Sequence, residues 1–267
     1  MQTIQVHGGV IEFSEHGEGR PLVLLHSLLT DSSAFDYVVP ELARNHRVIA
    51  PNLPGFGHSS PAGSDVEHVA DRLAAFFDAL ELTAGIDVLG NGYGGFVAGM
   101  LAIRHGTRFD RLVLANTGAA FSDAAKGAFF TMATRVREQG MSGVVDIAIS
   151  RLFPTDYIDA NRSIVEERRR VLLGNDPQRF AQACLSLAAL DLREQIKEVR
   201  NATLVLVGSA DTATPVAMSQ ELASLIPGAQ YVELPGCAHA PMIQAPAAFI
   251  AALKPFLNGA EVSPSGG

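Results

Sequence analysis

The chain has 267 residues, 48% hydrophobic and 18% charged, with 25 glycines and 14 prolines. That balance supports one large domain or two small ones and excludes disorder, collagen and coiled coil. With 20 Lys and Arg against 28 Asp and Glu the net charge is −8, a surface that repels phosphate backbones and anionic membranes, so neither nucleic acid nor membrane is an expected partner. Cys184 and Cys237 are the only cysteines and make no disulfide framework. Met1–Val10 lacks a basic stretch followed by an apolar run, which reads as no signal peptide and a cytoplasmic address. The longest apolar runs fall far short of the ~18–20 residues of a membrane span.

In chain order, Thr3–Val6 and Val10–Phe13 read as a hairpin turning at His7-Gly8-Gly9. Leu22–Leu25 and Arg47–Ala50 are short strands with a helical stretch, Phe35–Ala43, between them. Ser64 and Glu67 have the spacing of a capping box for a helix to about Leu80, with Val69, Leu73, Phe76, Phe77 and Leu80 on one face. Ile86–Leu89 is the next strand, followed by a glycine-rich turn and a helix to about His105. Leu112–Ala115, Leu204–Val207 and Gln230–Leu234 complete eight strands. Pro215 opens a helix in its favoured first turn, and Pro246–Leu257 is the last helix.

Strands alternating with helices predict an α/β fold with a mostly parallel eight-stranded sheet and helices on both faces. One stretch breaks the alternation. Ser122–Gln139, Ser142–Leu152, Asn161–Leu173 and Pro177–Leu190 are all helical patterns. This assigns residues 119–190 to a helical cap, 1–118 and 191–257 to the core, and 258–267 to a flexible tail.

The chemistry concentrates in a few loops. Val88–Phe96 reads strand, tight turn, helix, with Gly90-Asn91-Gly92-Tyr93-Gly94 at the spacing of a G-x-S-x-G elbow. Gly90 and Gly94 are small because the backbone folds back closely there. The run lacks the Lys-Ser/Thr of a P-loop and the last glycine of G-x-G-x-x-G, which argues against a nucleotide site. Leu24–Leu29 places His26-Ser27-Leu28 after one strand, and Asn52-Leu53-Pro54-Gly55-Phe56-Gly57-His58-Ser59 follows the next. Asp211 follows a late strand and His239 the last one. His7, His16, His46, His58, His68 and His105 show no metal-ligand spacing, so neither metal nor cofactor is expected. Glu166–Arg170 reads as a solvated charge run, and Cys184 and Cys237 as small buried hydrophobes.

Together these motifs, over nearly the whole chain and in the order elbow, acid, histidine, resemble the α/β-hydrolase fold family. His26-Ser27-Leu28, Ala50–Gly55 and Asp211–Pro215 are most similar to its 3-oxoadipate enol-lactonase-like branch. The resemblance implies a catalytic Asp211 and His239, an oxyanion hole from the backbone N–H groups of Leu28 and Tyr93, and a nucleophile position at Gly92. His26 would tie its loop. Ser27 is the nearest candidate for a substitute hydroxyl, although the resemblance already accounts for it.

Gly92 departs from the family pattern: it suits the backbone of an elbow but offers no atom to acylate. Three functions stay open for a small-molecule site of unknown oligomeric state. The first is hydrolysis of an ester, enol-lactone or other carbonyl compound without a serine nucleophile, using the room for about one water that a missing hydroxymethyl leaves. The second is a cofactor-free lyase, isomerase or oxygenase with His239 as general base. The third is small-ligand binding without catalysis. Phe129, Phe130, Met132, Phe153 and Leu187 are candidate pocket liners, and serine restored at position 92 is expected to recover an acyl-enzyme.

Overall fold

The computed structural model describes residues 1–259. The expected tail at 258–267 therefore falls, from residue 260 onward, outside the described residues. Apolar runs too short for helices form the strands β1 (Gln2–Val6), β2 (Gly9–His16), β3 (Arg20–Leu25), β4 (His46–Pro51), β5 (Asp87–Asn91), β6 (Arg111–Ala115), β7 (Ala202–Gly208) and β8 (Gln230–Leu234). They make one eight-stranded sheet in the order β1-β2-β4-β3-β5-β6-β7-β8. The pairs β1–β2 and β2–β4 are antiparallel and all others parallel. Successive residues of β5, β6 and β7 are buried on both sides, as a parallel sheet flanked by crossover helices requires.

Helices α1 (Val39–Leu42), α2 (Val66–Ala79) and α3 (Tyr93–His105) connect the first strands. The helix expected over Phe35–Ala43 is split into a 3₁₀ turn at Ser32–Phe35 and the short α1. Pro40 stands in the first turn of α1 and has no N–H to bond a carbonyl one turn earlier, so the 3₁₀ turn does not run on into α1 as one helix. The capping box is also corrected. Asp65, not Ser64, caps α2, accepting the His68 N–H at 3.0 Å. Val69, Leu73, Phe76 and Phe77 form its buried stripe, while Leu80 lies beyond its last turn.

Helices α4 (Asp123–Gln139), α5 (Val145–Leu152), α6 (Thr155–Ala160), α7 (Arg162–Leu173) and α8 (Pro177–Ala189) add no strand to the sheet. Helix α4 packs along α8, and α5 and α6 pack on α7. The ends of this segment meet at an antiparallel bridge between Ala120 and Asp191, beside a 2.8 Å hydrogen bond from the Leu192 N–H to the Ala119 carbonyl. The charge run on α7 is not wholly solvated. Arg168 is 1% exposed; it donates to Ser33 Oγ at 2.9 Å and pairs with Glu167 and Asp31. A cation this deep is held because the loop after β3 supplies its partners. Helices α9 (Val216–Leu225), α10 (Pro241–Gln244) and α11 (Pro246–Leu257) complete the chain, with Pro215 as the cap of α9.

Candidate active site

The chain runs from β3 to β4 on one side, then crosses back to place β5 on the other side of β3. Loops leaving β3 and β5 therefore diverge, and the crevice at such a switch point is where open α/β sheets bind ligands. Leu25 pairs with Gly90 in register, so two residues further on Ser27 comes to lie beside Gly92.

Gly92 caps α3 with φ +54° and ψ −117°, a backbone open to glycine and strained for other residues. Gly94 donates its N–H to the His26 carbonyl at 3.0 Å. A Cβ at Gly94 would stand 2.2 Å from the Leu25 carbonyl oxygen, which leaves no choice but glycine. Tyr93 is the first residue of α3, so its N–H has no carbonyl one turn back to bond. Tyr93 and Leu28 line the same cavity, on either side of the Gly92–Ser27 contact. The room for a water expected at position 92 is filled. A Cβ there would meet Ser27 Oγ at 2.5 Å and His239 Nε2 at 2.7 Å.

Asp211 and His239 meet as expected, His239 Nδ1 lying 2.9 Å from Asp211 Oδ2, both buried. The acid is fixed from every side. Its Oδ1 accepts the N–H groups of Ala213 at 2.8 Å and Thr214 at 3.0 Å. Its Oδ2 also accepts Thr214 Oγ1 at 2.7 Å and Asn116 Nδ2 at 2.8 Å. Burial pushes the Asp211 carboxyl up, but the charge and hydrogen bond of His239, with those of Asn116 and Thr214, outweigh it and hold the carboxyl below the ordinary value. A charged Asp211 keeps the proton of His239 on Nδ1, leaving the Nε2 lone pair free, and Ser27 Oγ lies 3.2 Å from it. Asn91 Nδ2 donates to the His239 carbonyl at 3.1 Å and holds the loop from below.

His26 ties its loop. Its Nε2 accepts the Leu53 N–H at 2.9 Å, so Nδ1 carries the proton it donates to the Ser27 carbonyl at 2.8 Å. Neither thiol lines the cavity that His239 faces, and burial pushes Cys184 up to about 12 and raises Cys237 as well. Among the described residues no group of three or more His, Cys, Asp or Glu stands ready to hold a metal ion. None of the described helices is long and apolar enough to cross a membrane.

Above the dyad opens a cavity of about 670 Å³, floored by Ser27, Gly92 and His239. Phe129, Met132 and Leu187 line it as expected. Phe130 and Phe153 do not: Phe130 is 54% exposed, and Phe153 stacks on Tyr157. Sequence reading missed Asn116 and Thr214. Thr214 stands three residues after the acid, at the spacing of a side chain that closes an Asx turn; Asn116, at the end of β6, carried no signal.

Residues 22–252 match the family model described as the alpha/beta hydrolase family. The chain is 32% identical to 2-hydroxy-6-oxo-2,4-heptadienoate hydrolase of Pseudomonas putida, over 94% of this chain and 95% of that one. It is 28% identical to 3-oxoadipate enol-lactonase 2 of Acinetobacter baylyi, over 92% of each. The crystal structure of the enol-lactonase from Burkholderia xenovorans superposes with a TM-score of 0.91 at 29% identity, over 96% of this chain and 100% of that one.

Proposed function

The chain belongs to the alpha/beta hydrolase family, and from that premise we propose that it hydrolyses a small ester, enol-lactone or related carbonyl compound with Asp211 and His239 as its proton-transfer pair. The observation that carries this reading is the buried 2.9 Å contact between His239 Nδ1 and Asp211 Oδ2, with Nε2 turned to the cavity floor. In that arrangement Nε2 takes a proton from an attacking hydroxyl, and Asp211 stabilises the imidazolium that forms. The same Nε2–H then protonates the leaving oxygen. The backbone N–H groups of Leu28 and Tyr93 hold the oxyanion, a role that needs no side chain at position 92. Gly92 forms no bond to substrate. The cavity is largely apolar, which suits a small organic substrate, and residues 119–190 act as a cap that supplies its upper wall.

A panel of p-nitrophenyl esters and simple lactones tests the reading. His239→Ala should lower kcat by about 10²–10⁴-fold, the usual contribution of a positioned general base. No turnover of any ester or lactone by the folded wild-type protein, or turnover untouched by His239→Ala, would overturn it.

A further inference from the structure

Resting on the hydrolase reading, we infer that Ser27, on the loop after β3, is the nucleophile, standing in for the side chain that Gly92 lacks. Ser27 Oγ lies 3.2 Å from His239 Nε2, and that ring's Nδ1 lies 2.9 Å from Asp211, which completes a serine–histidine–aspartate series by distance and order. No other hydrogen bond engages this hydroxyl among the described residues, so its proton points at Nε2. The serine backbone is fixed. Its N–H donates to Thr30 Oγ1 at 3.2 Å, and its carbonyl accepts His26 Nδ1 at 2.8 Å and the Thr30 N–H at 3.2 Å. Ser27 also lines the substrate cavity.

The glycine and the serine explain each other. A Cβ on residue 92 would stand 2.5 Å from Ser27 Oγ, so Ser27 reaches Nε2 only because position 92 has no side chain. The oxyanion hole needs no rebuilding. At an elbow it combines the N–H of the residue after the nucleophile with one from the loop after β3. Here Leu28 follows the nucleophile and Tyr93 lies across from it, so the same pair serves with their parts exchanged.

The chemistry balances. Ser27 Oγ gives its proton to Nε2 and bonds to the carbonyl carbon, whose oxygen takes the charge. Collapse breaks the bond to the leaving oxygen, which takes the proton from Nε2, and leaves an ester on Ser27. Water then gives a proton to Nε2 and bonds to the same carbon. The second collapse breaks the bond to Ser27 Oγ, which recovers its proton, and releases the acid.

The experiment treats the full-length wild-type protein with a fluorophosphonate, maps the adduct by peptide mass spectrometry, and follows p-nitrophenyl ester hydrolysis in parallel. The expected result is one adduct on the Ser27 peptide, lost in His239→Ala, with a pre-steady-state burst of p-nitrophenol. Ser27→Ala, checked for an unchanged circular dichroism spectrum, should lose the adduct and at least about 10³-fold in kcat. Hydrolysis that depends on His239 without an adduct on Ser27 overturns the inference and leaves the hydrolase reading standing. An adduct on Ser27 without ester or lactone turnover overturns the hydrolase reading and with it the inference that rests on it, and absence of both removes both.

Discussion

At position 92 a positive φ and a crowded Cβ position act together, and they set what a substitution there does. Gly92→Ser brings the strain of a side chain at φ +54°, of order 1–3 kcal/mol. It also drives a Cβ into Ser27 Oγ and His239 Nε2. The recovery expected from the sequence alone therefore does not follow from this single change. Gly92→Ser should lower both Tm and ester turnover, because the new side chain displaces Ser27 from Nε2. Removing the Ser27 side of the obstruction leaves only the tip of the His239 ring to give way, and that changes the outcome. Gly92→Ser combined with Ser27→Gly should restore turnover relative to either single variant and move the fluorophosphonate adduct to the peptide carrying position 92. Double-variant kinetics with peptide mapping check this. Additive losses would mean that the two positions do not share one site.

At the scale of elements, the loops after β3 and β4 are stitched together by His26, which donates to Ser27 and accepts from Leu53. Burial pushes this histidine below its ordinary value of 6.5, against the raising influence of its hydrogen bonds and of Asp31. Folded His26 is thus neutral where the unfolded chain already binds a proton, and stability rises with pH in that interval. Its contribution is complete above 6.5 and is lost progressively as the pH falls below that. Tm should drop on acidification from about pH 7 to 5, and His26→Gln, which keeps a donor and an acceptor, should flatten the slope. Scanning calorimetry across that range decides it; an unchanged slope would place the acid sensitivity elsewhere. At α2, Asp65→Ala removes the side chain that caps His68 and should cost about 0.5–2 kcal/mol in urea unfolding. Strands and long helices were legible because their apolar period is set by burial: β8 and α11 fall where the pattern puts them. Short elements were not. Helix α6 has six residues and α10 four, too few for a period to show, and Pro40 divides a stretch whose apolar spacing alone reads as one helix.

Over the whole molecule the site is made by loops from the ends of β3, β5, β7 and β8, and the helical segment is clipped to three of them, those after β3, β7 and β8. Arg168 reaches Ser33 after β3, Arg151 Nη1 donates to the Thr212 carbonyl after β7 at 3.2 Å, and the Ala240 N–H after β8 donates to the Leu152 carbonyl at 3.3 Å. Asp211 and His239 were legible because chain order and loop position identify them without coordinates. The contact of Ser27 with His239 was not, since it depends on the β3–β5 register and on a neighbour 212 residues away. Arg168 was misread for the same reason: Ser33 and Asp31, which it reaches, lie on another element. The cavity takes part of its lining from α4, where Ala128 and Phe129 face it. If acyl chains extend along that wall, their length is measured there and not at the dyad. Ala128→Trp should then leave hydrolysis of a p-nitrophenyl acetate nearly unchanged and lower kcat/KM for a decanoate by about 10–200-fold, corresponding to the 1–3 kcal/mol by which a hydrophobic pocket discriminates. The loss should fall mainly on KM, because the substituted residue touches the chain and not the reacting atoms. No loss on either ester would show that α4 does not bound the acyl site, and equal losses on both would show that the substitution reaches the reacting atoms and not the chain alone.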